Sequence, residues 1–456
     1  MARDVVDAEI IDSRDALVRW LEVGCKPPLE FRAGAEHEKF VFARLGHEPV
    51  PFEGASGIRA LLQGLKDRLG WSPIEDLGAL IGLFDPAGKA AISLEPGGQF
   101  ELSGAPLADV HAIARELEAH LSACRAVGGP LGLGFLALGM SPKWTLAETP
   151  HMPKSRYAIM ARYMPKVGSR GLDMMFRTST VQSNLDFSSE ADMVMKMRVG
   201  LALQPVITAL FANSPFTEGR PNGFLSARSE IWRATDPDRT GMLPFAFECG
   251  MGFERYVDYA LDVPMYFVKR GDVYHDVSGA SFRDLLAGRL AELPGERATV
   301  SDWANHLSTI FPEVRLKRYL EVRGADVGPP ERMLALHALM MGLYYDQAAL
   351  DAAGELIKPW TADERQGLRD AVPRLALKAT IAGRTVRNVA RDVLTIAEGG
   401  LRRRARRDAD GADETRYLAP LIKIVETGRT AAEAWLERFH GAWNGSVEPI
   451  FDEAAV

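Results

Sequence analysis

Apolar positions along this chain recur with a period of about 3.6 in some stretches and two in others, so helices and strands interleave. Ser13 precedes Arg14-Asp15-Ala16-Leu17-Val18-Arg19-Trp20-Leu21, whose spacing predicts a capped helix closing near Gly24. Alternation then predicts a strand over 36–42, a helix over 57–69, and strands around 80–84 and 90–102. Val110, Ile113, Leu117 and Leu121 mark a helix over 107–127 that stops at Gly128-Gly129-Pro130. The run 132–139 reads as a compact strand whose glycines let other backbone approach. Beyond it, 155–164 reads as a helix and 175–187 as a strand with Gln182, Asn184 and Asp186 on one face. A helix over 190–212 follows, and 215–311 reads as loop-rich with short strands, the composition of active-site walls. After Pro329-Pro330 the chain reads as mainly helical to about Trp443. This order predicts an α+β architecture built on a mainly antiparallel sheet, without regular βαβ units. One domain is expected over 1–456, with a sheet-bearing core at 10–330 and a helical part at 331–456 packed on it.

Composition narrows the function classes. The chain has 456 residues, 47% hydrophobic and 25% charged, with a net charge of −7. That balance argues against generic nucleic-acid binding, which needs a concentrated positive surface. The basic run Arg402-Arg403-Arg404-Ala405-Arg406-Arg407 is answered at once by Asp408, Asp410, Asp413 and Glu414, so it reads as a solvated turn. Cys25, Cys124 and Cys249 are far apart and form neither a disulfide framework nor a zinc spacing. Acids at Asp4, Asp7, Glu9 and Asp12 stand where a targeting segment would be basic and apolar. The most apolar stretch, 199–212, is interrupted by Gln204-Pro205 and reads as a core helix too short to span a bilayer. The expectation is a soluble cytoplasmic protein with neither nucleic-acid nor membrane partners.

Candidate chemistry concentrates in two short segments. Glu36-His37-Glu38 points both carboxylates to one strand face, and Glu95-Pro96-Gly97-Gly98-Gln99-Phe100-Glu101 sets two more around a bend. Buried, unpaired carboxylates cost several kcal/mol, so four around one cavity need a cation, and hard oxygen ligands select Mg²⁺. The alternative is a solvated sheet edge whose acids pair with Lys or Arg. His37 points to the opposite face and reads as a packed histidine. Glu321 and Arg323 share a strand face, placing an acid toward a metal and a guanidinium over a phosphate, or else forming a structural ion pair. Arg228, four residues before Trp232, suits a carboxylate clamp beside an aromatic wall, although such an arginine alone is more often a surface ion pair. The run from Tyr163 to Gly171 carries Lys166 and Arg170 and reads as a basic loop able to hold nucleotide phosphates. Arg177, on the predicted strand, faces away from Gln182. The glycines of 132–139 match no phosphate-loop spacing. Acids needing metals beside arginines needing anions describe phosphoryl transfer.

As strings, these residues resemble the glutamate–cysteine ligase family, in the branch shared by plants and many α-proteobacteria. The resemblance rests on Glu95-Pro96-Gly97-Gly98-Gln99-Phe100-Glu101-Leu102-Ser103-Gly104, Tyr163-Met164-Pro165-Lys166-Val167-Gly168, Val181-Gln182-Ser183-Asn184-Leu185-Asp186-Phe187, Pro221-Asn222-Gly223-Phe224-Leu225-Ser226 and Phe311-Pro312-Glu313-Val314-Arg315-Leu316-Lys317. It runs from about residue 10 to the C-terminus. It implies a glutamine-synthetase-like catalytic fold, a curved antiparallel sheet forming a funnel. It also implies ATP-dependent joining of the L-glutamate γ-carboxylate to the amine of L-cysteine through γ-glutamyl phosphate, the first step of glutathione synthesis. Carried over by motif, Glu36, Glu38, Glu95, Glu101, Gln182 and Glu321 are the expected Mg²⁺ ligands, Gln182 standing where related enzymes have a histidine. Arg228, Trp232, Gln182 and Asn184 are the expected substrate contacts, Lys166, Arg170 and Arg323 the nucleotide contacts, and Arg228 and Arg323 the catalytic pair. Paired redox cysteines of the plant enzymes are replaced here by Ser179, Val277, Glu292 and Leu334, so no disulfide switch is expected, and the chain is expected to be a monomer or weak homodimer. Two rivals stand beside this reading: a ligase of the same fold with another amine acceptor, and a nucleotide- or metal-binding protein without turnover.

Overall fold

The computed structural model describes residues 7–456, and Asp4 of the acidic N-terminal run lies outside them. Its centre is an antiparallel sheet of nine strands: β1 (Ala33–Ala43), β2 (Ser72–Asp76), β3 (Ala79–Phe84), β4 (Ala91–Leu94), β5 (Phe100–Ser103), β6 (Leu133–Leu136), β7 (Thr180–Leu185), β8 (Val314–Leu316) and β9 (Leu320–Asp326). Their order is β8-β9-β7-β1-β5-β4-β3-β2, with β6 pairing the far half of β1. The predicted strand over 90–102 is thus two strands, β4 and β5, folded about the Pro-Gly-Gly bend. Gly98 there has φ +83, and a Cβ on Gly97 would lie 2.2 Å from the Phe176 carbonyl oxygen, so both positions require glycine.

Helices enclose this sheet. The first six are α1 (Arg14–Glu22), α2 (Ile58–Leu69), α3 (Val110–Gly128), α4 (Ser155–Val167), α5 (Gly171–Arg177) and α6 (Glu190–Phe211). Ser13, Asp109 and Ser189 cap α1, α3 and α6 through their side chains. α6 matches the helix expected over 190–212, and because Pro205 does not break it, it is longer than the interrupted apolar stretch read as too short for a membrane. By length and hydropathy it alone, among the described residues, would suffice to cross a membrane, but 89% of its apolar window is buried inside the protein, as in a core helix. Two further expectations change. Of the basic run from Tyr163, the part to Val167 is the end of α4 and only 168–170 are a loop, and the predicted strand at 175–187 begins only at Thr180, after α5. The buried run Met174-Met175-Phe176 carries no period of its own, so helix and strand cannot be told apart there from sequence.

The middle segment is richer in helix than expected, with α7 (Ala227–Arg233), α8 (Phe253–Asp262), α9 (Phe282–Leu286) and α10 (Val300–Ser308) beside a hairpin of 267–270 with 273–276. The tail follows as α11 (Pro330–Tyr344), α12 (Gln347–Ile357), α13 (Ala362–Leu375), α14 (Val386–Arg404) and shorter helices. One apolar cluster runs from Ile11 through Leu185, Leu203 and Leu336 to Ala432, so the tail and the sheet share a core.

Candidate functional site

Register alone gathers the acids. Residues directly opposite in an antiparallel ladder point to the same face. Glu36 lies across from Gln182, Glu38 from Glu101, Glu101 from Ser93, and Glu321 from Asn184. Glu36, Glu38, Glu95, Glu101, Gln182, Arg228, Trp232 and Arg323 line one hollow of about 110 Å³. Like charges face each other there. Burial, aided by Glu95 and Glu101, pushes the Glu38 carboxyl well above its ordinary range, while burial with Glu321 and Glu101 pushes Glu36 up. Glu101 is held by the hydroxyls of Ser93 (2.8 Å) and Ser103 (3.0 Å), and Glu38 by the Thr180 amide (3.0 Å).

A cationic and apolar wall stands opposite. β9 bulges between Val322 and Ala325, three steps against two on β7, and Arg323 within the bulge lines the hollow. Arg228 and Trp232, one helical turn apart on α7, meet it: Arg228 donates to the Arg323 carbonyl (2.9 Å), and the Arg228 and Arg323 guanidinium carbons stand 5.7 and 5.8 Å from the indole. Arg228 Nε and Trp232 Nε1 are buried donors with no acceptor among the described residues. Donors so placed suit a carboxylate ligand. Met160, Met174, Met175 and Phe311 supply the apolar remainder.

Not every expected residue joins this hollow. Glu321 lies beneath it, fully buried, bonded to Arg315 (2.6 Å), Lys317 (3.0 Å) and Arg323. Burial opposes its ionisation, but those three cations outweigh burial and hold it well below the carboxylate range. It would reach a metal only if one of them let go. Asn184 donates to Glu36 (2.8 Å) and faces a second hollow of about 330 Å³ on the other side of that glutamate. Lys166 and Arg170 line neither. Lys166 is exposed on the last turn of α4, and Arg170 is paired with Asp173 at 2.5 Å. Lys166 ends a helix and Arg170 sits at the cap of the next, so the two do not share one loop. Arg177 is bound to Asp173 and Glu218, also outside the hollow.

The sequence reading passed over the cations that do stand at these cavities. Arg315 lines the first hollow, and Lys26, Arg32 and Lys89 line the second. For Arg315 the signal was present: Glu313, Arg315 and Lys317 alternate with Val314 and Leu316. On the far face of β1, His37 accepts a bond from Lys39 (2.8 Å), which also meets His120 (3.1 Å). Burial brings the Lys39 ammonium down to about 8. His37 is a packed residue, as expected.

The donor set suits Mg²⁺, since hard carboxylate oxygens crowd one face and burial with neighbouring carboxylates raises the pKa of two of them. No group of three or more acidic, His or Cys residues is already drawn into ligand geometry among the described residues.

Comparison with known proteins follows the same lines. The family model for glutamate–cysteine ligase family 2 matches residues 32–453. The chloroplastic glutamate–cysteine ligase of Nicotiana tabacum is 53% identical over 449 residues, covering 98% of this chain and 84% of that protein. Its counterpart from Arabidopsis thaliana is 53% identical over 441 residues, covering 97% and 82%. These relatives are named as chloroplastic, which overturns the expectation of a cytoplasmic location. Among solved structures, a glutamate–cysteine ligase of Francisella tularensis in complex with AMP superposes with TM-score 0.53 at 12% identity, covering 98% of this chain and 89% of that one. A bifunctional glutathione synthetase of Pasteurella multocida gives 0.54 at 12% identity, covering 97% and 54%. At such identity these two bear on the fold alone, which is the expected glutamine-synthetase-like α+β architecture.

Proposed function

Because this chain belongs to glutamate–cysteine ligase family 2, we infer that it joins the γ-carboxylate of L-glutamate to the amine of L-cysteine, the first step of glutathione synthesis. ATP activates the carboxylate by transferring its γ-phosphoryl group. The cysteine amine then attacks the acyl carbon, phosphate leaves with the C–O bonding pair, and the amine releases a proton. One observation carries the reading: four glutamates face Arg228, Arg315 and Arg323 across a single hollow that Glu36 separates from a second, cation-lined one.

The finer assignments are proposals. Glu36, Glu38, Glu95 and Glu101, with the Gln182 amide oxygen, would hold Mg²⁺, which when bound offsets charge on phosphate oxygens. Arg323 sits where nucleotide and carboxylate would meet and screens the repulsion between them. Glutamate and cysteine occupy the first hollow. Its unpartnered Arg228 and Trp232 donors receive a carboxylate, and its Met160, Met174 and Met175 wall accepts a thiol side chain without demanding a hydrogen bond. The triphosphate enters through the second hollow, past Lys26, Arg32 and Lys89, in place of Lys166 and Arg170. The chain works on these small molecules as one catalytic domain, a monomer or weak homodimer. A coupled ADP-release assay, with each amino acid omitted in turn, tests the reading. Release requiring both amino acids upholds it. Equal release with other amines in place of cysteine points to the same-fold ligase with a different acceptor.

A further inference from the structure

Arg228 and Trp232 depend for their aim on α7, a helix of seven residues that is too short to hold its own direction. Its N-terminus is pinned by Ser226, which bonds Asp326 (2.9 Å) and caps the Ser229 amide (3.3 Å). Its middle is held from outside. Arg369, on α13 of the tail, reaches Ser229 with two nitrogens, one to the hydroxyl and one to the carbonyl, both at 3.1 Å. The third nitrogen, Nε, binds the Glu313 carboxylate at 2.5 Å. Glu313 lies between Phe311 and Arg315, which line the same hollow from the other side, and its carbonyl accepts from the Arg323 amide (3.3 Å). A Cβ on Gly324 would lie 2.8 Å from Glu313 Oε2, so glycine at the bulge leaves room for that carboxylate.

We propose that Arg369 is a positioning residue for the amino-acid end of the pocket, a strut that locks the α7 helix bearing Arg228 and Trp232 against the segment bearing Phe311, Arg315 and Arg323. The inference rests on the ligase reading and deepens it. Arg369 is 4% exposed, and the gap it borders beside Arg228 and Trp232 is only about 10 Å³, room for one water at most, so it braces the site and takes no ligand there. All three bonded nitrogens are spent on fixed acceptors. A planar guanidinium meets that geometry and an ammonium does not.

The test is the split between substrates in Arg369→Lys and in Ser229→Ala, which removes one bond and leaves the Glu313 pair intact. Arg369→Lys is expected to raise KM for glutamate and cysteine about tenfold, with the KM for ATP within about twofold, and Ser229→Ala to move the same constants less. The double variant is expected to fall short of the product of the single effects, because both remove the same contact. Unchanged amino-acid KM values in Arg369→Lys would overturn the proposal, as would a rise shared equally with ATP, which marks general loosening. Calorimetric titration with glutamate separates this from the ligase reading. If the unaltered chain released no ADP, that reading would fail, and weakened glutamate binding in Arg369→Lys would still support the strut while equal binding would sink it.

Discussion

Glu36 and Glu38 carry the sharpest electrostatic conflict in the chain, and their replacement should show first in metal dependence. Glu36→Gln is expected to lower kcat by about two orders of magnitude or more and raise the Mg²⁺ concentration needed for half activity; steady-state rates across a Mg²⁺ series check it. Arg323→Lys keeps the charge but loses the planar guanidinium whose Nη1 bonds both Gln182 (2.6 Å) and Glu321 and whose other nitrogens stay free for an anion. A large fall in kcat with little change in KM for cysteine is expected, read from initial rates at varied cysteine. The raised carboxyl pKa of Glu38 also sets a pH dependence. The folded chain holds a proton that the unfolded chain has released, so this group makes the metal-free fold less stable as pH rises through the raised value. A bound cation removes that penalty, so the rise in Tm on adding Mg²⁺ should grow as pH rises above the ordinary carboxylate range, and shrink in Glu38→Gln; thermal shifts at fixed Mg²⁺ check it. At this scale the acids were readable because period-two spacing fixes a shared face. The stretch carrying Lys166 was read as loop although it ends a helix, because one cationic run serves a helix as well as a loop.

Between residues and molecule, the elements that aim side chains are irregular ones: the Pro-Gly-Gly bend between β4 and β5, and the bulge in β9. Gly97→Ala would drive a methyl into the Phe176 carbonyl, which is backbone and has little room to move. A stability loss of about 1–3 kcal/mol is expected by denaturant titration, together with a higher Mg²⁺ requirement, because the bend sets both Glu95 and Glu101. The bend was legible from its residues. The bulge was not, since Val322-Arg323-Gly324-Ala325 alternates no differently from a regular strand, and only pairing with β7 shows the extra residue. The helices over 14–22 and 190–211 were equally plain in the sequence, whereas α5 and α7, seven residues each, were too short to show a period.

Across the whole molecule, the C-terminus closes the structure on itself. Ala454 and Val456 bond the backbone of Ala137 and Phe135, and Ile450 and Phe451 are fully buried against Phe40, Phe42 and Leu136. Removing 450–456 is expected to cost about 3–6 kcal/mol from those two side chains alone, enough to unfold a marginal domain; a Tm measurement on the truncated chain checks it. The shared core explains why 331–456 serves the site from a distance, through Arg369. By itself the sequence determined the sheet-and-helix character, the faces of Glu36, Glu38 and Gln182, and the acid-and-arginine chemistry, because these follow from spacing along one element. Only the tertiary structure decided that Glu321 lies beneath the pocket, that the cations of the second hollow are Lys26, Arg32 and Lys89, and that α13 braces α7. Most of those relations join residues far apart in sequence, as Arg369 and Ser229 are, where strand register and helix packing place side chains that local pattern cannot connect.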